Sequence, residues 1–138
     1  MPKAVIVLAL LVLASGAGGA VSQGLEQSPR DPSALTVLAE IALERGDCKV
    51  ASENYAEALP GGNANLAQRA SAVALACEHL PAAWESAQRW RTLAPGDTDA
   101  AALYATVAVK LYRIADAQSA VRSIILAADG EPRLAELT

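Results

Sequence analysis

The sequence predicts an all-α fold, and three observations carry that expectation. The 138-residue chain is 53 % hydrophobic, but only 4 % aromatic and without Phe. Alanine supplies much of the apolar content, and it has the highest helix propensity. Such a core is filled by close helix contacts through small side chains rather than by large rings. From Asp31 onward, stretches of about 12 to 16 residues with helical periodicity alternate with very short breaks. No stretch alternates with period two, so no strand is expected. The length supports one domain. A net charge of −4 with no Lys/Arg stripe argues against nucleic acid as a partner.

The N-terminus stands apart. Met1-Pro2-Lys3 supplies one positive charge, Ala4 to Ala14 is unbroken apolar sequence, and Ser15 to Ala20 are small residues. Charged start, apolar middle and small-residue end compose a secretory signal peptide over 1–20, with cleavage after Ala17 or Ala20. An uncleaved anchor is the other reading, because no charge occurs from Ala4 to Leu25. No Cys follows the apolar run, so a lipoprotein is not indicated. Either way the remainder is expected outside the cytoplasm, periplasmic or secreted, or held at the inner membrane. Residues 21–30 are polar, without periodicity, and read as a linker.

Asp31-Pro32-Ser33 reads as the start of the first helix, with Asp31 capping and Pro32 where a missing N–H is harmless. Leu35, Leu38, Ala39, Ala42 and Leu43 share one face of it. Arg45 ends it, Gly46-Asp47 breaks it, and Asp47 caps a second helix from Cys48 to about Leu59. Within a helical turn, the tripeptide Arg45-Gly46-Asp47 loses its resemblance to an adhesion loop. Pro60-Gly61-Gly62-Asn63 stops the second helix, and Asn63 caps a third that reaches Glu78 or His79. Pro81 opens a fourth, to about Leu93. Ala94-Pro95-Gly96-Asp97 is the next break, with Asp97 or Thr98 as cap. A fifth helix is expected over Asp99–Arg113 and a sixth over Asp116–Ala128, stopped by Asp129-Gly130-Glu131-Pro132. Connections this short imply antiparallel neighbours.

Overlaying the even-numbered helices exposes a repeat. The second reads Gly46-Asp47-x3-Ala51-x3-Tyr55-x2-Ala58, and the fourth Ala83-x3-Ala87-x2-Trp90-x4-Pro95. The sixth reads Ala115-Asp116-x3-Ala120-x3-Ile124-x2-Ala127-x4-Pro132. This spacing resembles the tetratricopeptide repeat over residues 31–132. Its first helix carries a large residue, then Leu with a small neighbour, as at Leu35, Leu38 and Ala39, or Tyr104, Val107 and Ala108. Ala51, Ala83 and Ala120 are 32 and 37 residues apart, against the family period of about 34. Pro60 comes early, and the second unit's first helix is nearly all small residues.

The resemblance implies a right-handed superhelical stack of about three antiparallel helix pairs, acting as a protein–protein interaction scaffold without a cofactor. Its inner helices would line a concave groove for a peptide or a partner's helix. The matching positions are Thr36, Glu40 and Glu44 in the first unit, Asn65, Gln68 and Ala72 in the second, and Ala105, Val109, Tyr112 and Arg113 in the third. The Lys/Asn/Arg set with which some members grip a chaperone's C-terminal carboxylates is missing. In such a stack, Cys48 near the start of the second helix and Cys77 near the end of the third lie at the same end of adjacent helices. They are a candidate disulfide, or else two thiols in an Ala-rich core.

Other residues point to ordinary roles. His79, the sole histidine, falls at a helix end, where it offsets the dipole, and no nucleophile or metal-ligand set accompanies it. No enzyme constellation is present. Glu40 and Glu44 read as a solvated helix face, Trp90 as core, and Trp84 as packed against a neighbouring helix or partly open. After Pro132 only 133–138 follow, a short tail or the start of another repeat. The sixth helix therefore risks an exposed apolar face at Val121, Ile124, Ile125 and Leu126. That motivates a second reading: a self-associating or membrane-tethered helical domain, homo-oligomeric through its C-terminal helix, or the N-terminal piece of a longer array.

Overall fold

The computed structural model describes residues 31–135, and side chains as far as residue 130. The expected signal peptide or anchor and the linker lie outside the described residues. Six α-helices follow in order: α1 (Pro32–Glu44), α2 (Cys48–Ala58), α3 (Ala64–Ala76), α4 (Leu80–Leu93), α5 (Thr98–Lys110) and α6 (Ile114–Ala135), with a short 3₁₀ turn at Leu59–Gly61 after α2. There is no strand among the described residues, and the fold is all-α. The helices pair as three hairpins, α1/α2, α3/α4 and α5/α6, each packed on the next.

One turn geometry recurs inside all three hairpins. Asp47 N donates to Ala42 O at 2.8 Å and Gly46 N to Leu43 O at 2.9 Å. His79 N and Glu78 N repeat this onto Ala74 O and Leu75 O, as do Arg113 N and Tyr112 N onto Ala108 O and Val109 O. This is the Schellman ending, in which a left-handed residue lets two late carbonyls find donors. The left-handed positions are Gly46 (φ 74°), Glu78 (φ 55°) and Tyr112 (φ 57°). Only the first is a glycine, so only the first was legible as a turn residue.

These turns supply a register. Counting from each left-handed residue, Leu35, Ala67 and Ala101 are equivalent, as are Ala39, Ser71 and Ala105, then Ala42, Ala74 and Ala108, and all nine are buried. In the even helices Ala51, Ala83 and Ala117 are equivalent and buried. Small residues at these positions let the paired helices approach closely. The third unit therefore aligns through Ala117, not Ala120, and its spacing from Ala83 is 34 rather than 37.

Caps explain most helix starts. The Asp47 carboxylate accepts from Val50 N, Asn63 Oδ1 from Leu66 N, and Asp97 Oδ1 from Asp99 N and Ala100 N. Asp31 differs from expectation: its side chain caps nothing, and Pro32 at the first helical position leaves one N–H fewer to satisfy. Several boundaries also move, and α3 ends at Ala76 rather than at Glu78 or His79. α5 ends at Lys110, because the left-handed Tyr112 closes the turn, and α6 begins at Ile114. α6 then continues through Gly130 and Pro132 to Ala135, across the expected stop and into the expected tail. Helix formers on both sides, Leu126 to Ala128 and Arg133 to Ala135, carry it over those residues.

The core runs along the stack. Tyr55, Leu59, Val73 and Trp90 gather with the alanines of α1 to α3, while Tyr104, Ala87 and Ala120 close the far end. Trp90 is buried as expected. Leu38, expected on the buried face of α1, is 45 % exposed.

Candidate binding face

The odd-numbered helices form one layer. α3 adjoins α5, and α1 is joined to α3 by an ion pair, Glu40 with Arg69. On this layer the register places Thr36 level with Gln68 and Ala102, and Glu40 level with Ala72 and Thr106. Asn65, Gln68, Ala72, Ala102, Thr106 and Lys110 are exposed, and Glu44 with them. Thr36 is half-buried and spends its hydroxyl on Pro32 O at 2.8 Å. Of the sequence-derived set in the first two units, Glu44, Asn65, Gln68 and Ala72 are exposed, whereas Thr36 and Glu40 are half-buried.

Its third unit needs correction. Ala105 is 7 % exposed and belongs to the core, because it occupies the same close-packing position as Ala39 and Ser71. The register assigns Ala102, Thr106 and Lys110 instead. The signal that would have found them is the pair of caps Asn63 and Asp97, which sit 34 residues apart. Val109 remains exposed at 55 %, but it lines a groove between α5 and α6. Tyr112 is 89 % exposed at the turn.

Glu40 is not a free carboxylate. Arg69 Nε and Nη2 donate to its two oxygens at 2.8 and 2.9 Å, and the Tyr55 hydroxyl donates to Oε1. Three helices therefore meet on one acid. The paired guanidinium, followed by the tyrosine hydroxyl, holds Glu40 down at about 2. Burial first, and then the bond to Glu40, pushes Tyr55 up to about 12. Arg69, absent from the sequence-derived set, is held more firmly protonated by Glu40.

Arg113 is similarly engaged. Its Nε donates to Asp116 at 2.8 Å, and its guanidinium lies 4.2 Å from the Trp84 ring centroid. Trp84 stacks on Tyr104 with centroids 4.6 Å apart, and Arg91 covers the far side of Tyr104 at 4.4 Å. This cation–ring–ring–cation column ties α4, α5 and the start of α6 together, each stacked cation contributing about 0.5–1 kcal/mol. Burial, with Asp116 close by, raises the Tyr104 phenol above its ordinary range.

Cys48 and Cys77 are joined by a disulfide, with Cα atoms 5.4 Å apart. The bond links the start of α2 to the end of α3. His79 sits beside it in a role other than the one expected. Its Nδ1 accepts from Ala82 N at 3.3 Å and caps the start of α4, so it answers donors rather than offsetting carbonyls. Among the described residues, no group of three or more His, Cys, Asp or Glu is placed to hold a metal ion. No helix of those residues is long and apolar enough to cross a membrane. No family model matches the chain, and no curated protein matches it.

Proposed function

We propose that the chain is a tetratricopeptide-type array of three helix pairs, wound as a right-handed superhelix. It serves as a protein–protein interaction scaffold in the cell envelope. The observation that carries this reading is the shared register. In every hairpin, a buried small residue seven before the left-handed turn residue is matched by a buried alanine five after it: Ala39 with Ala51, Ser71 with Ala83, Ala105 with Ala117. Units offset by 32 and 34 residues agree with the family period of about 34. A pair of helices cannot bury its own apolar stripe, so such units stack, and a preformed array offers a partner its surface at low ordering cost.

The partner's site is the row of α1, α3 and α5 side chains, corrected in its third unit. Small and uncharged residues along α3 and α5 (Gln68, Ala72, Ala102, Thr106) suit an extended peptide or a helix lying close to the backbone. The Cys48–Cys77 disulfide favours export, since such bonds persist in oxidising compartments.

The test is a pull-down from an envelope fraction with the wild-type chain and with Ala72→Arg and Thr106→Arg. Both positions are exposed, so the fold is kept while the row is blocked. Loss of the captured partner in both variants supports the site. Undiminished capture removes it from this face. The second reading, a self-associating or tethered domain, is favoured by the apolar surface of α6, where Val121, Ile125 and Leu126 are exposed.

A further inference from the structure

The two ends of the stack carry the two halves of one interface. Inside the molecule, each hairpin presents its even helix to the odd helix of the next. Nine residues after the left-handed position stand Tyr55 and Ala87, and both are fully buried. Eight residues before it, on the following odd helix, stand Ala70 and Tyr104. Tyr55 and Ala70 share one core cluster, and Ala87 and Tyr104 share another. Each junction sets a ring against a methyl group, first one way round and then the other.

Among the described residues, the same register gives the unpaired halves. Val121 is the counterpart of Tyr55 and Ala87, and it is 46 % exposed. Leu38 is the counterpart of Ala70 and Tyr104, and it is 45 % exposed. Val and Leu together fill a junction much as Tyr with Ala does. Ile41, 37 % exposed, is likewise the counterpart of the buried Val73 and Val107. The receiving surface is an apolar groove of about 560 Å³ between α5 and α6, floored by Val109, Ile114, Val121 and Ile125 and edged by Arg122.

We propose that α1 of a second copy seats in the α5/α6 groove, head to tail, in the geometry by which α3 seats on α1/α2 and α5 on α3/α4. This goes beyond the scaffold reading, since it uses the ends of the stack and leaves the α1–α3–α5 row free. A junction of this kind is heterologous: it uses different surfaces on the two copies and prolongs the array.

The test uses the full chain, isolated from an export-competent host and followed by sedimentation velocity over a concentration series. Wild type is expected to form a concentration-dependent ladder of species. Leu38→Glu and Val121→Glu change exposed side chains, and each alone is expected to stay monomeric, weakened at least tenfold. Mixed in equal amounts, they are expected to form a dimer and stop there, because each variant retains the half that the other lacks. A photo-cross-linking residue at 125, mixed with an isotope-labelled wild-type copy, is expected to capture the labelled peptide that contains Leu38 and Ile41. Monomeric wild type overturns the proposal. Self-association of Leu38→Glu equal to wild type does so too, and points to a two-fold α6–α6 contact. Cross-links confined to residues 1–30 of the same copy also overturn it, and assign one of these faces to that segment.

Discussion

Glu78 and Tyr112 hold left-handed dihedrals that Gly46 holds without steric cost. Replacing either by Gly is expected to raise stability by about 0.5–1 kcal/mol, whereas Gly46→Ala is expected to lower it by about 1 kcal/mol. Urea denaturation of the three variants checks both signs. Glu40 gives a pH dependence whose sign follows from its shift. Its folded value of about 2 lies below the ordinary 4.5, so its contribution is complete above about pH 5 and is lost as pH falls toward 2. Both side chains of the pair are about half exposed, which keeps the contribution below about 1 kcal/mol. Urea titrations are expected to show a wild-type advantage over Glu40→Gln at pH 6 that shrinks through pH 3 and is mostly gone at pH 2. The caps Asp47, Asn63 and Asp97 were legible in the sequence because each sits beside its helix. The Glu40–Arg69–Tyr55 junction was not: its members lie 15 and 29 residues apart, and only the hairpin stacking brings them together.

Helix number, order and four of the six starts could be read from periodicity and capping residues, because each signal is local. The third unit slipped because its turn residue is Tyr112, which carries no turn signature, so the count began from Asp116 instead. Ala117 was passed over and Ala105 was assigned to the surface. α6 overran its expected stop for a related reason: Asp129-Gly130-Glu131-Pro132 has the composition of a break but does not enforce one. Gly130 lies in an open, exposed stretch of that helix, with nothing near the position its Cβ would take. Gly130→Ala is expected to add up to about 1 kcal/mol of local helix stability, read as slower amide exchange after Leu126. At the other end of the stack, Cys48→Ala with Cys77→Ala is expected to cost roughly 3 to 4 kcal/mol in the chain-entropy model for a loop of 29 residues. Thermal unfolding of the double variant beside the oxidised wild type measures it.

Across the whole molecule, the hairpins are held unequally. The disulfide and the Glu40 junction bind the first hairpin to the second, while the Arg91–Tyr104–Trp84–Arg113 column binds the third to the second through rings and cations. In an array whose units touch only their neighbours, stability is a sum over units and junctions. Opening is therefore expected to begin at α5/α6, with amide protection falling from α3 toward α6, and Trp84→Ala is expected to steepen that gradient. The covalent link has a further consequence under tension. A chain pulled from its ends can pay out only what lies outside the loop, so residues 48 to 77 behave as a single short link while the bridge stands. At about 3.5 Å of extension per residue, the 29-residue span withholds roughly 100 Å of contour length. An optical-tweezers trace should gain that length in one step when reductant is added, which makes the redox state of the surroundings the setting for how far this chain can be drawn out.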